Sequence, residues 1–248
     1  MAKVAIITGS SRGIGAATAI RLASDGYDIC VNYYSNKEAA NEVVKLVQSY
    51  GVNALSIKAD VSKEDEVKRL FQKVDKKLGK LDALINNAGI LFQQSRLVDL
   101  SAERINKVLT TNVTGYFLCS KEAVLRMSTK YNGKGGVIVN VSSAASRLGS
   151  AGEYIDYAAS KGAIDTLTIG LANEVASENI RVNCVRPGLI YTEMHKSGGE
   201  PNRVDRLKGN LPIKRGGKPE EVAAAISWLI SSESSYTTGS FIEVSGGM

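Results

Sequence analysis

Tyr157 and Lys161 stand four residues apart in "EYIDYAASKGA" (153–163), a stretch rich in alanine and free of proline. On a helix that spacing puts both side chains on one face, about a turn from each other. A phenol ionises near pH ~10 and is a poor base at neutrality. An ammonium about 4 Å away interacts with a phenolate by about 4 kcal/mol at an effective dielectric of about 20, enough to draw the phenol toward useful proton exchange. Tyr154 lies two turns from Lys161 and has Ala158 at i+4, so it reads as a pocket wall or a packing residue. The only histidine, His195, sits on a polar stretch with no partners for a triad or a metal site, and no metal is expected.

A second group is "VAIITGSSRGIG", with Gly9, Gly13 and Gly15 between a β-branched run and a helical pattern. Glycine permits positive φ and close approach of a ligand, and a helix N-terminus offers free N–H groups to a pyrophosphate. The spacing is G-x-x-x-G-x-G and departs from the general G-x-G-x-x-G fingerprint. An acid at the end of the second strand would bind a ribose 2′-hydroxyl and repel a 2′-phosphate. Here "VNYYSNK" has no acid before Glu38, while Arg12, Tyr34, Ser35, Asn36 and Lys37 lie at hand. These residues predict NADP(H) over NAD(H), although a neutral pocket also accepts NAD(H).

The elements that must position these groups alternate along the chain. The strands "KVAIIT", "DICVNY", "ALSIKA" and "LDALIN" are followed by helical patterns at 13–26, 37–50, 63–78 and 101–129. Then come "GGVIVNVS", a helix at about 152–178, "IRVNCVRP", a helix at 218–232, and "SFIEVS". Seven strands separated by helices predict an α/β fold, a doubly wound parallel sheet with helices on both faces. Ser62 and Asp65 resemble a capping box, and Pro219 suits a first helical turn. The polar segment at about 191–217 is long for a connection and reads as a lid or mobile loop.

The 248 residues, 44% hydrophobic and 23% charged, fit one domain without a linker or repeat. The apolar start "VAIIT" is too short for a signal peptide or a membrane span, so a cytoplasmic protein is expected, with no membrane association. Cys30, Cys119 and Cys184 lie in apolar runs and read as buried thiols. The charge of +6 is scattered and not gathered in a basic stripe, which argues against nucleic acid.

Several motifs in register resemble the short-chain dehydrogenase/reductase family, in its glucose dehydrogenase and 3-oxoacyl-[acyl-carrier-protein] reductase-like branch. They are "TGSSRGIG", "ADV" (59–61), "NNAG" (86–89), "TNVTG" around Asn112, "NVSS" (140–143), "YAASK" (157–161), "RPGLIYT" (186–192) and "TGSFIEVSGG". The resemblance spans essentially the whole chain. It implies a Rossmann-type domain over 1–248 that binds a nicotinamide cofactor at the carboxyl ends of the strands. It further implies that Gly9, Ser11, Arg12, Gly13, Ile14 and Gly15 cradle the cofactor and that Asp60 and Val61 meet the adenine. Asn86, Asn87, Ala88 and Gly89 would line the ribose, and Pro187, Gly188, Ile190 and Thr192 would hold the carboxamide.

The same resemblance makes Tyr157 the acid/base, Lys161 its partner and a ribose ligand, and Asn112 a relay through water. Ser143 would orient the substrate oxygen, with Ser142 a second hydroxyl nearby. The family's serine usually precedes the tyrosine by about thirteen residues, whereas Ser143 precedes Tyr157 by fourteen, so the 144–156 loop departs from the pattern. The expected activity is NADP(H)-dependent reduction of a small carbonyl or oxidation of the alcohol. The alternatives are reduction of a 3-oxoacyl thioester on an acyl carrier protein, and a non-catalytic nucleotide-binding scaffold or redox sensor. An acidic carrier would suit Lys196, Arg203, Arg206, Lys208, Lys214 and Arg215, which outnumber Glu193, Glu200 and Asp205. The resemblance also implies a homotetramer.

Overall fold

A computed structural model describes residues 2–248. Strand β1 (Lys3–Ile7) leads into helix α1 (Gly13–Ser24), β2 (Tyr27–Tyr33), α2 (Lys37–Gln48), β3 (Ala54–Lys58), α3 (Glu64–Lys77) and β4 (Leu81–Asn86). Then follow α4 (Ala102–Leu109), α5 (Gly115–Met127), β5 (Gly136–Val141), α6 (Ala145–Leu148), α7 (Ile155–Val175) and β6 (Ile180–Pro187). Short helices α8 (Met194–Ser197) and α9 (Arg203–Leu207) precede α10 (Pro219–Ile230) and β7 (Phe241–Val244).

The seven strands form one sheet in the order β3-β2-β1-β4-β5-β6-β7, and every neighbouring pair is parallel. The expected doubly wound fold is therefore the one found. The strands carry continuous apolar runs because both faces are covered. In β1, Ala5 and Ile7 enter one core while Val4 and Ile6 enter the other. Helices α1 and α10 pack together against the first core, and α3, α5 and α7 supply the second. Strand order reverses between β1 and β4, which opens a crevice beyond their carboxyl ends.

Two local expectations are corrected. The helix expected over 101–129 is interrupted by a π-helical segment, Thr110–Thr114, between α4 and α5. Such segments insert an extra residue per turn and re-aim a side chain, here Asn112. Ser62 does not cap α3, whose N-cap is Lys63. The Ser62 hydroxyl donates instead to Asp60 Oδ1 at 2.6 Å, a local turn that wins over the capping geometry. The polar segment at 191–217 holds two short helices and is folded onto the body. Pro219 does start α10, and the Glu221 carboxylate accepts from the Lys218 backbone N–H at 2.8 Å.

Candidate active site

The glycine turn joins β1 to α1 at the crevice. Gly9 and Gly13 have φ of 62° and 57°, in the left-handed region. A Cβ on Gly15 would lie 2.5 Å from Asn87 Nδ2 and 2.7 Å from Ser10 Cα, so no side chain fits. The turn is fixed to the end of β4 by Thr8, whose hydroxyl accepts from the Asn87 and Ala88 N–H groups at 2.9 and 3.0 Å. Asn87 Nδ2 returns a bond to the Thr8 carbonyl at 2.8 Å. Asn32 on β2 accepts from Gly9 N–H at 3.1 Å. No side chain caps α1 at Arg12 and its first turn holds no acid, so the helix start is able to receive an anion. Ser11 flanks this turn, Ile14 packs onto the core and the Arg12 side chain is exposed.

Across the crevice, the Thr192 methyl lies 3.4 Å from where a Cβ on Gly13 would stand. This brings the loop that follows β6 against the glycine turn. The Pro187 carbonyl accepts from Ala144 N–H at 2.9 Å and Gly188 N–H donates to the Val244 carbonyl at 3.0 Å. The Ile190 carbonyl meets His195 Nε2 at 2.9 Å, which gives the lone histidine a structural contact.

At the end of β2 and β3, Tyr34, Ser35, Lys58, Asp60, Lys63 and Glu66 line a cavity of about 320 Å³. Tyr34 and Ser35 are exposed, and Asp60 keeps one carboxylate oxygen outside the Ser62 contacts. Val61 is buried against Gly115, where a Cβ would meet Val61 Cγ2 at 3.0 Å.

Asn86 departs from the role expected of it. It is fully buried and points into the sheet's packing, where its Nδ2 donates to Ser120 Oγ and Asn140 Oδ1, both at 3.0 Å. Asn140 Nδ2 continues the chain to Thr168 Oγ1 at 2.9 Å. Strand alternation explains this: Asn86 faces inward, so the neighbouring Asn87 is the asparagine at the crevice.

The catalytic candidates converge at the carboxyl ends of β4 and β5. Asn112 is buried, with Nδ2 donating to the Ile90 carbonyl at 2.9 Å and Oδ1 accepting from Ile90 N–H at 2.8 Å. Its Nδ2 also reaches Ser160 Oγ at 3.1 Å, which links the π-helical segment to α7. A Cβ on Gly89 would sit 3.6 Å from Asn112 Oδ1 and 3.7 Å from Lys161 Nζ, so Gly89 lies against both groups.

Lys161 is 2% exposed and donates to the Val141 carbonyl at 2.8 Å and the Tyr116 hydroxyl at 3.3 Å. Its Nζ stands 5.6 Å over the Tyr157 ring. Burial pulls the lysine down to about 8 and pushes the Tyr157 phenol up to about 12, while the Ser143 hydroxyl works to lower the phenol. The direction for Tyr157 is opposite to the simple charge argument from sequence, because burial of the phenol dominates.

Ser143 accepts from Ala145 N–H at 3.1 Å and faces Tyr157. The stretch between Ser143 and Tyr157 contains α6, which stops at Gly149 with φ 73°. Ser142 is turned away from its expected substrate contact: its hydroxyl is buried and donates to the Lys161 carbonyl at 3.1 Å.

Tyr154 is 5% exposed at the N-cap of α7 and donates to the Gly198 carbonyl at 3.1 Å. The Arg203 guanidinium lies 5.2 Å over its ring and also binds Glu153 at 2.5 Å and Glu200 at 3.0 Å. This cluster latches the 191–217 segment to the start of the catalytic-candidate helix. The roles of Thr8, Asn32, Tyr116 and the Arg203–Glu153 pair are not evident in the sequence. Thr8 alone had a signal, its place directly before the glycine turn. No cluster of His, Cys, Asp or Glu suited to a metal ion occurs among the described residues, and no described helix is long and apolar enough to cross a membrane.

Residues 9–248 match the family model described as enoyl-(acyl carrier protein) reductase. The chain is 62% identical over 244 residues to the uncharacterized oxidoreductase YgfF of Escherichia coli (strain K12), covering 98% of this chain and 99% of that protein. It is 40% identical to glucose 1-dehydrogenase 2 of Bacillus subtilis (strain 168), covering 99% and 94%. It is 36% identical to the 3-oxoacyl-[acyl-carrier-protein] reductase FabG of Staphylococcus aureus (strain Mu50 / ATCC 700699), covering 100% and 98%. A short-chain dehydrogenase from Burkholderia cenocepacia solved in complex with NADP superposes with a TM-score of 0.90 at 33% identity, covering 99% of this chain and 97% of that one. The chain belongs to the short-chain dehydrogenase/reductase family and is an oxidoreductase.

Proposed function

We propose that this member of the short-chain dehydrogenase/reductase family is an NADP(H)-dependent reductase of small carbonyls, or dehydrogenase of the corresponding secondary alcohols, with Tyr157 as its acid/base. The observation that carries the reading is the convergence of Tyr157, Lys161, Ser143 and Asn112 beside a glycine cradle that a Cβ at Gly15 would fill. Gly9, Gly13 and Gly15 with the α1 N-terminus suit a pyrophosphate, Asp60 an adenine amino group, and the loop from Pro187 to Thr192 a carboxamide. When bound, the nicotinamide supplies or takes up the hydride.

In reduction the neutral Tyr157 phenol donates its proton to the carbonyl oxygen, which Ser143 orients by a second hydrogen bond. In oxidation the phenolate takes the alcohol proton. Lys161 favours the phenolate electrostatically, and Asn112 holds the Ile90 backbone and the α7 face in register for proton exchange with solvent.

Preference for NADP(H) is supported by the exposed Arg12 and by Tyr34 and Ser35 at a β2 end that lacks an acid. The carrier-protein reading has less support. Four of the six basic side chains of the 191–217 segment are held in ion pairs with Glu153, Glu200, Asp205 or Glu221, which leaves a weak field for an acidic partner. A homotetramer is in keeping with exposed Phe117 and Leu125 on α5 and Ile169 on α7, and sedimentation velocity tests it. The functional test is a carbonyl and alcohol panel assayed with NADPH, NADH, NADP and NAD. Turnover of at least one small carbonyl with a preference for NADPH is expected, and cofactor binding without turnover on any compound would support a scaffold instead.

A further inference from the structure

Tyr116 lies in the first turn of α5, just after the π-helical segment that carries Asn112, and it is 1% exposed. Its hydroxyl donates to the Val141 carbonyl at 3.0 Å, so the oxygen has only lone pairs left for Lys161 Nζ, 3.3 Å away. The Val141 carbonyl accepts from Lys161 as well, at 2.8 Å, and the ammonium lies 5.1 Å over the Tyr116 ring. The three groups form a closed triangle at the end of β5, directly before Ser142 and Ser143. Two of the three ammonium N–H groups are thereby fixed, and one is left for the face shared with Gly89, Asn112 and Tyr157.

We propose that Tyr116 is a positioning residue that holds Lys161 in place and in its charged form beside Tyr157. The proposal rests on the reading of Lys161 as the partner of Tyr157. A hydroxyl that can only accept, backed by the negative face of its own ring, favours the ammonium over the amine. This support opposes the burial that depresses Lys161. The other titratable groups facing Lys161 are Tyr157 and Asp165 from α7 and Cys184 from β6; β5 offers only the Val141 carbonyl, and Asn112 and Gly89 carry no charge.

The test is an NMR titration of the full-length protein labelled with carbon-13 at lysine Cε, with Lys161→Arg identifying the resonance. In Tyr116→Phe the ring stays and the acceptor goes, so the Lys161 midpoint falls by about half a pH unit or more. If that variant does not fold, 3-fluorotyrosine at position 116 keeps the shape, weakens the acceptor and moves the midpoint the same way by less. A midpoint unchanged in the variant that folds overturns the proposal and leaves the Tyr157 chemistry standing. A lowered midpoint alongside full turnover in Tyr157→Phe would instead sustain the Tyr116–Lys161 coupling and overturn the reading on which its catalytic meaning rests.

Discussion

The Lys161 ammonium stands 5.6 Å over the Tyr157 ring but hydrogen-bonds elsewhere, to the Val141 carbonyl and the Tyr116 hydroxyl. The lysine therefore acts on the phenol through space, and burial dominates both groups. The pH dependence follows from the signs. The phenol, pushed up to about 12, is protonated at neutrality and ready as an acid; its basic form grows only as pH rises. Lys161, pulled down to about 8, loses its charge above that value. Carbonyl reduction is expected to hold level from about pH 6 to 8 and fall above, whereas alcohol oxidation rises from about pH 7 to 10. Initial rates in both directions across this range check it, and reduction that increases with pH contradicts it.

Arg12 is the exposed cation of the glycine turn. Arg12→Ala should raise the KM for NADPH about tenfold, equal to ~1.4 kcal/mol, and leave that for NADH nearly unchanged. Steady-state kinetics with both cofactors measure the ratio. An equal change for the two would show that Arg12 does not read the 2′-phosphate.

Asn112, itself buried, makes three hydrogen bonds, two with Ile90 and one with Ser160. At about 1 kcal/mol each, Asn112→Ala should cost about 3 kcal/mol of stability. For a chain of this size that corresponds to a Tm lower by about 10 °C in a thermal melt, together with reduced turnover. A full-strength enzyme with an unchanged melt would remove Asn112 from both roles.

Arg203 joins the 191–217 segment to Glu153 and stacks on Tyr154. Arg203→Ala should loosen the segment, raising substrate KM about tenfold (~1.4 kcal/mol) with little change in cofactor affinity. Susceptibility to limited proteolysis within 191–217 should increase in the same variant. Unaltered KM and proteolysis would show the latch to be dispensable.

The sheet was legible because β-branched runs buried on both faces leave a continuous apolar signal, and the glycine turn because only glycine meets its backbone and packing demands. Tyr157 and Lys161 were legible because one helical turn separates them. The π-helical segment was not: nothing in "TTNVT" breaks a helix, and the extra residue is set by the bonds Asn112 makes to Ile90. The inward face of Asn86 was not legible, because the motif does not say which of two adjacent asparagines faces inward; its register partner Asn140 is the clue, and that pairing exists only once β4 and β5 are aligned. The fall of Lys161 and the rise of Tyr157 depend on burial, which a sequence spacing does not contain.

The acid/base role of Tyr157 is tested most directly by Tyr157→Phe, assayed for NADPH oxidation on the carbonyl panel and for NADPH binding by fluorescence. Loss of the proton donor should lower turnover by about 10³-fold with NADPH affinity changed less than about twofold. Turnover retained in the variant would contradict the assignment of Tyr157 as the acid/base.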